Sequence, residues 1–188
     1  MKQLKTALLM TFATTVLLGV IYPLVVTGLA QALFPDKANG QLIRRAGAVI
    51  GSPLIGQPFT GPAYFHSRPS AAGNGYDAAN SGGSNLGPTN RKLLERVQGD
   101  LAALQSEHPD ASVPIDLVTT SASGLDPDIS PAAAYFQVPR VARARGLGET
   151  QLRELVRRHI IPRPLGILGE PRVNVLELNL ALDQAANQ

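Results

Sequence analysis

The chain has 188 residues, 44% of them apolar, which is enough for one hydrophobic core but not for two comfortable domains. Of its 17 Lys and Arg, Lys2 and Lys5 lie in the amino-terminal flank, so the remaining 15 face 14 acidic residues and leave no electrostatic footprint for nucleic acid. The absence of cysteine excludes disulfides and thiolate metal sites, and leaves the compartment open.

From Thr6 to Pro35 no charged residue occurs, and the run ALLMTFATTVLLGVIYPLVVTGLAQALF exceeds the roughly 20 residues that cross about 30 Å of hydrocarbon. It predicts a tail and one transmembrane helix over residues 1–35, with Pro23 as a kink and tilt absorbing the surplus length. Gly19, Gly28 and Ala32 supply small residues that allow close helix packing, a generic signal. The competing reading is a cleaved signal peptide, drawn by Lys2, Lys5 and the small-residue site Ala30-Gln31-Ala32; the length of the apolar run weighs against it. Charge does not orient the span, because Lys37, Arg44 and Arg45 balance Lys2 and Lys5.

Residues 36–188 read as one soluble domain of mixed helix and strand. Asp36 to Gly40 forms a connector, and Leu42, Ile43, Val49 and Ile50 among turn glycines predict a strand within 41–51. Pro53, Pro58 and Pro62 break any long element. The segment PAYFHSRPSAAGNGYDAANSGGSNLGPTN then sets Tyr64, Phe65 and Tyr76 among Gly73, Gly75, Gly82, Gly83 and Gly87, too aromatic for a plain linker. It predicts a folded loop surface able to bind something.

Leu93, Leu94, Val97, Leu101 and Leu104 recur at helical spacing, with Thr89 or Asn90 as a cap and Pro109 beyond the end; Gly99 weakens the pattern. Val113 to Thr119 predicts a strand. Ser130 and Pro131 open a helix over Ala132 to Arg145 that stops at Gly146, and Pro139 predicts a kink or two pieces. A further helix from about Gln151 to Ile160 would be capped by Thr150. Leu176, Leu178, Leu180 and Leu182 alternate like a half-buried strand, with a leucine-rich helix starting at Asn174 as the alternative. The fold class is α+β, without an internal repeat or a βαβ run.

The glycines of Ser81 to Gly87 would let backbone N–H groups converge on an anion. No GxxxxGK[ST] occurs and no lysine follows the last glycine, so a structural or docking loop is preferred to a mononucleotide P-loop. His66, His108 and His159 lack the short spacing of metal-ligand pairs, and no GxSxG elbow marks a serine nucleophile. Asp126 and Asp128 flank Pro127, where they would draw a cation or a basic partner; the alternative is that Asp128 and Ser130 simply cap the next helix. Arg140, Arg143, Arg145, Arg153, Arg157, Arg158 and Arg163 form the one basic concentration, read as a solvated helical face ahead of a surface for an acidic partner.

The ordered blocks YFHSRPSA, SGGSNLGPTN, VPIDLVTTSASGLDPDISP, RVARARGL and LGEPRVNVLELNLALD, behind a single amino-terminal span, closely resemble the KdpC family, the C subunits of the Kdp potassium-transporting ATPase. The resemblance implies a non-catalytic accessory subunit in the bacterial inner (cytoplasmic) membrane, with its large domain on the periplasmic side. It implies partners of three kinds, a channel-like subunit, a P-type ATPase subunit and a small single-span subunit, with membrane lipid around the helix and potassium carried by the complex. No intrinsic cofactor follows from it; ATP enters only through the complex. The chain agrees in lacking a DKTG phosphorylation motif. The family is also described as a catalytic chaperone that raises the ATP affinity of the hydrolysing subunit, which would make Ser81, Gly82, Gly83, Ser84 and Gln137 nucleotide contacts. A domain outside the membrane is out of reach of cytosolic ATP, so the scaffold role is the preferred expectation.

Overall fold

The computed structural model describes residues 1–185 and divides the chain into two compact units, Met1–Ser52 and Pro53–Gln188.

In the first unit, helix α1 (Lys2–Val16) and helix α2 (Tyr22–Leu33) are joined through a π-turn, Leu17–Ile21, into one continuous rod, Lys2–Leu33. The rod is 32 residues long and contains an 18-residue stretch of mean hydropathy 2.1, long and apolar enough to cross a membrane. None of it is buried by the rest of the protein. The π-turn has a local cause. Pro23 carries no N–H to donate one turn back, so the helix ladder is broken just before the proline, and the chain widens there, with Tyr22 N–H donating to Leu17 O five residues back. Helix α3 (Pro35–Ala38) is a single turn where a plain connector was expected. Its end is tied to the rod by a reciprocal amide pair, Gln31 and Asn39, at 3.1 and 3.2 Å.

The strand expected within 41–51 is a hairpin. Strands β1 (Ile43–Arg45) and β2 (Ala48–Gly51) are antiparallel, and the two-residue turn places Ala46 at φ 50° and Gly47 at φ 82°. Two successive positive φ values make the turn whose twist matches the strands, at a strain cost for Ala46.

The second unit is α+β. Helix α4 (Arg91–Glu107) begins where Asn90 accepts a hydrogen bond from Lys92 N–H at 2.9 Å. Strand β3 (Asp128–Ile129), strand β4 (Ile160–Ile161) and strand β5 (Arg172–Asn174) make a small antiparallel sheet in the order β3-β5-β4, with Val173 opposite both Ile129 and Ile160. Helices α5 (Pro131–Arg145), α6 (Glu149–Arg158) and α7 (Val175–Ala185) gather around it. The core joins Ile129 and Val173 of the sheet to Val138 and Val141 of α5, Leu152 and Val156 of α6, and Leu178 and Leu182 of α7, with Phe65 entering from the long loop.

Several local expectations give way to this packing. Val113 to Thr119 is not a strand: a 3-10 turn, Ile115–Leu117, buries Leu117 and frees Asp116 to accept from Ser130 N–H and Oγ at 2.7 and 3.1 Å. Helix α5 continues through Pro139 as one helix, capped by Ser130 Oγ on Ala133 N–H and closed by Gly146 at φ 66°. Helix α6 is entered from Gly148 without a side-chain cap, so Thr150 lies inside it. Leu176 to Leu182 forms helix rather than strand, and Asn174 accepts from Glu177 N–H at 3.1 Å, the start named as the alternative.

Candidate functional site

From Pro53 to Asn90 the only regular element is a short 3-10 turn, Ala78–Asn80, so side chains of the helical frame must satisfy this long segment's backbone. Two buried amides do so at its centre. Asn179 of α7 accepts from Phe65 N–H and donates to Phe65 O, both at 2.9 Å. Gln137 of α5 accepts from His66 N–H at 2.7 Å and donates through Nε2 to His66 O at 3.1 Å. Each amide thus takes the place of a neighbouring strand for one residue. Both side chains are 2% exposed.

Two arginines extend the grip. Arg140 donates to Pro62 O at 2.7 Å, Tyr64 O at 3.0 Å and Gln137 Oε1 at 2.7 Å, and pairs with Glu107. Arg145 donates to Ala63 O and to the Asp183 carboxylate, each at 2.7 Å, with its guanidinium 4.6 Å from the Tyr64 ring centre. Beside them His66 Nε2 contacts Gly61 O at 3.0 Å. Burial, reinforced by the Arg140 charge, lowers the His66 pKa.

Further along, Ser70 Oγ donates to Gly124 O at 2.6 Å and accepts from Ala72 and Tyr76 N–H, while Tyr76 OH donates to Arg68 O. The loop of Ser81 to Ser84 lies along residues 121–124. Ser81 Oγ and Gly82 N–H both donate to Ser123 O, at 3.0 and 2.8 Å, and Gly83 is packed so closely that a Cβ there would sit 3.0 Å from Ala122 O. Ser84 is half-buried.

Of the five predicted contact residues, Ser81, Gly82, Gly83 and Ser84 therefore belong to one loop pair, and Gln137 to a separate clamp on His66. Gln137 lines a cleft of about 240 Å³ with His66, Asp100, Glu107 and Arg140, and none of residues 81–84 lines it. The expected basic face is divided among partners: Arg157 and Arg158 share Glu154, Arg153 pairs with Glu149, and Arg163 pairs with Glu170.

Of the two expected caps, Ser130 caps α5 through Oγ on Ala133 N–H, while Asp128 is turned to other partners. Asp126 pairs with Arg68 at 2.9 Å and accepts from Asp128 N–H, while Asp128 pairs with Arg172 at 2.8 Å and accepts from Asn174 Nδ2 at 3.2 Å. Burial raises the Asp128 pKa, and the Arg172 charge partly offsets it. Among the described residues no group of three or more His, Asp or Glu converges as a metal site.

Sequence reasoning missed Asn179 and Ser70, and it placed Arg145 in the basic face without its tie to Ala63 and Asp183. Asn179 alone carried a signal: a polar amide in an otherwise leucine-rich run is a buried group in need of a partner.

One membrane-length helix and a small α+β domain, with buried amides and arginines holding a long loop against a helical frame, define the class of protein. The family described as KdpC: K+-transporting ATPase, c chain, matches residues 4–184. The potassium-transporting ATPase KdpC subunit of Koribacter versatilis (strain Ellin345) is 68% identical over 182 residues, covering 97% of this chain and 94% of its own. That of Rhodopseudomonas palustris (strain BisB18) is 57% identical over 197 residues, covering 98% and 99%. That of Methylorubrum extorquens is 58% identical over 200 residues and covers both chains fully. The chain belongs to the KdpC family of potassium-transporting ATPase subunits.

Proposed function

We propose that this chain is a non-catalytic accessory subunit of an ATP-driven potassium importer, anchored in the inner membrane by α1 and α2. Its α+β domain stands on the periplasmic side and stabilises the assembly by contact, while another subunit hydrolyses ATP. The channel-like, P-type ATPase and small single-span subunits are its partners. The observation that carries this reading is the Gln137 amide: its oxygen takes His66 N–H and Arg140, and its nitrogen reaches His66 O and Ala133 O. A side chain so engaged holds a surface in shape.

The second reading, nucleotide binding that raises the ATP affinity of the hydrolysing subunit, has one observation on its side. The cleft beside Gln137 contains the Arg140 cation, which would suit a phosphate. Against it stand the cleft's volume of about 240 Å³, below the roughly 300–1,000 Å³ of ligand pockets, and the Asp100 and Glu107 carboxylates in its wall.

Two measurements test the pair. Solubilised membranes should yield the chain together with a large multispan partner; recovery only as a free monomer would overturn the accessory role. Ser84→Cys, in a chain with no native cysteine, should be labelled by a membrane-impermeant thiol reagent from outside intact cells. Labelling from the cytosolic side alone, with ATP binding by the purified chain that Gln137→Ala abolishes, would replace the scaffold reading by the nucleotide one.

A further inference from the structure

The middle of the membrane-length rod holds a backbone acceptor that the chain itself does not serve. In an unbroken α-helix Leu18 O would accept from the N–H of Tyr22, but that N–H donates to Leu17 O. The widened turn would pass Leu18 O the N–H of residue 23, and residue 23 is a proline. Both helical donors are therefore gone. Side chains do not replace them. A hydroxyl on a helix bonds back three or four residues, as Thr6 does to Lys2 O and Thr14 to Met10 O and Thr11 O. The residues so placed for Leu18 O are Ile21, which has no donor, and Tyr22, whose hydroxyl at the far end of a rigid ring cannot fold back onto its own turn. Among the described residues Leu18 O is left without a donor.

Its depth decides what can supply one. Lys5, the last charge before the apolar run, and Leu33, the end of the rod, lie about 20 and 22 Å from Leu18 along the axis, at about 1.5 Å per residue. In a spanning rod the carbonyl then sits near the centre of a hydrocarbon layer about 30 Å thick, out of reach of headgroups and bulk water. Hydrocarbon tails carry no donor, so what remains is a donor on a neighbouring helix. The way in is open. The Leu18 peptide group adjoins Gly19, which has no side chain to cover it, and a Cβ built there would meet nothing closer than Thr15 Cγ2 at 4.0 Å. A second copy of this chain is the poorer source, because from Val16 to Val26 its side chains carry one donor, the Tyr22 hydroxyl.

We propose that Leu18 O is an interhelical contact. It accepts a hydrogen bond, across the notch left by Gly19, from a hydroxyl or amide side chain on a membrane helix of another subunit of the potassium-transporting ATPase. The inference rests on the membrane-anchored accessory-subunit reading and gives that subunit one contact at one depth. The partner helix is apolar except for a Ser, Thr, Asn or Gln at the level of Leu18 and Gly19.

The test uses the full chain in phosphatidylcholine–phosphatidylglycerol vesicles, with a heavy-isotope label in the Leu18 carbonyl alone. The infrared band of that carbonyl should lie at the high wavenumber of a free acceptor in the chain by itself, and fall when the partner subunits assemble with it. Pro23→Ala restores a regular ladder in which Tyr22 N–H returns to Leu18 O. Its labelled band should lie low in both states, and its association with the partner subunits should weaken about 3- to 20-fold, the loss of one interhelical hydrogen bond. Gly19→Leu keeps the free acceptor but blocks the way to it, so its band should stay high beside the partners. A wild-type band that does not move on assembly, or wild-type association by Pro23→Ala, would overturn the proposal. A band already low in the chain by itself overturns it too, assigning the acceptor to a second copy where the band follows the amount of chain per vesicle, and to trapped water where it does not. If the wild-type chain captures no partner, the accessory-subunit reading fails first, an outcome distinct from capture with an unmoved band.

Discussion

Asn179 and Phe65 lie 114 residues apart, yet the Asn179 amide closes both backbone hydrogen bonds of Phe65, each at 2.9 Å. Phe65 is itself fully buried, so water cannot substitute for that amide. Asn179→Leu would leave one buried N–H and one buried C=O unpaired. At about 1–3 kcal/mol for each orphaned group, the loss is roughly 2–6 kcal/mol. Urea unfolding of the detergent-solubilised chain should show it, with Gln137→Leu behaving alike because it strips the same pair of bonds from His66. A midpoint unchanged in both variants would refute the clamp.

Gly124 fixes the approach of two loops. Its φ is 66°, and a Cβ there would sit 2.6 Å from both Ala72 N and Gly82 O. Neither atom belongs to a flexible side chain, so Gly124→Ala must push the loops apart. The expected cost is about 2–4 kcal/mol from backbone strain and overpacking together. Limited proteolysis should locate the damage at residues 70–84, cut faster in the variant than in the parent; Gly87→Ala, with open space around its Cβ position, should cut like the parent.

Acid should loosen the chain through His66. Its pKa in the folded protein is lowered, chiefly by burial, so below the ordinary value of 6.5 the unfolded chain binds the proton that the folded chain resists. Stability from this group is complete above about 6.5 and is lost as pH falls through the depressed folded value. Asp128 acts oppositely and lower down, because its raised pKa makes the folded state the better proton acceptor as pH falls toward 3.8. Melting temperatures between pH 7.5 and 5 should therefore fall for the parent and fall less for His66→Gln. Parallel curves would remove His66 as the cause.

The helices that sequence revealed are those whose boundaries are local. Asn90 caps α4 and Ser130 caps α5 within three residues of themselves, and Gly146 closes α5 through its own backbone. The failures came where distant packing overrode a short pattern. Alternating leucines at 176–182 imitate a strand, but the buried Val175, Leu178, Asn179 and Leu182 recur at i, i+3, i+4 and i+7, one helical stripe disguised in the sequence by the polar Asn179 within it and by Leu180, only half-buried, off it. Leucine's helix preference and the Asn174 cap were the better guides. At 113–119 the branched residues suggested a strand, yet Pro114 and the Asp116 tie to Ser130 bend the chain into a turn. The aromatic-glycine segment was legible as a folded surface. Its clamps were not, because Gln137 lies 71 residues from His66 and no local pattern records that meeting.

The widened turn at Leu17–Ile21 alters how the long apolar helix meets its neighbours. Each residue of an α-helix advances about 100° around the axis, so an added residue in one turn rotates everything beyond it by about that much. Side chains of Lys2–Val16 and of Tyr22–Leu33 then lie on stripes that do not align. Such a rod offers one flank to a companion in its first half and a different flank in its second, so it can touch two companions at different depths without bending toward either.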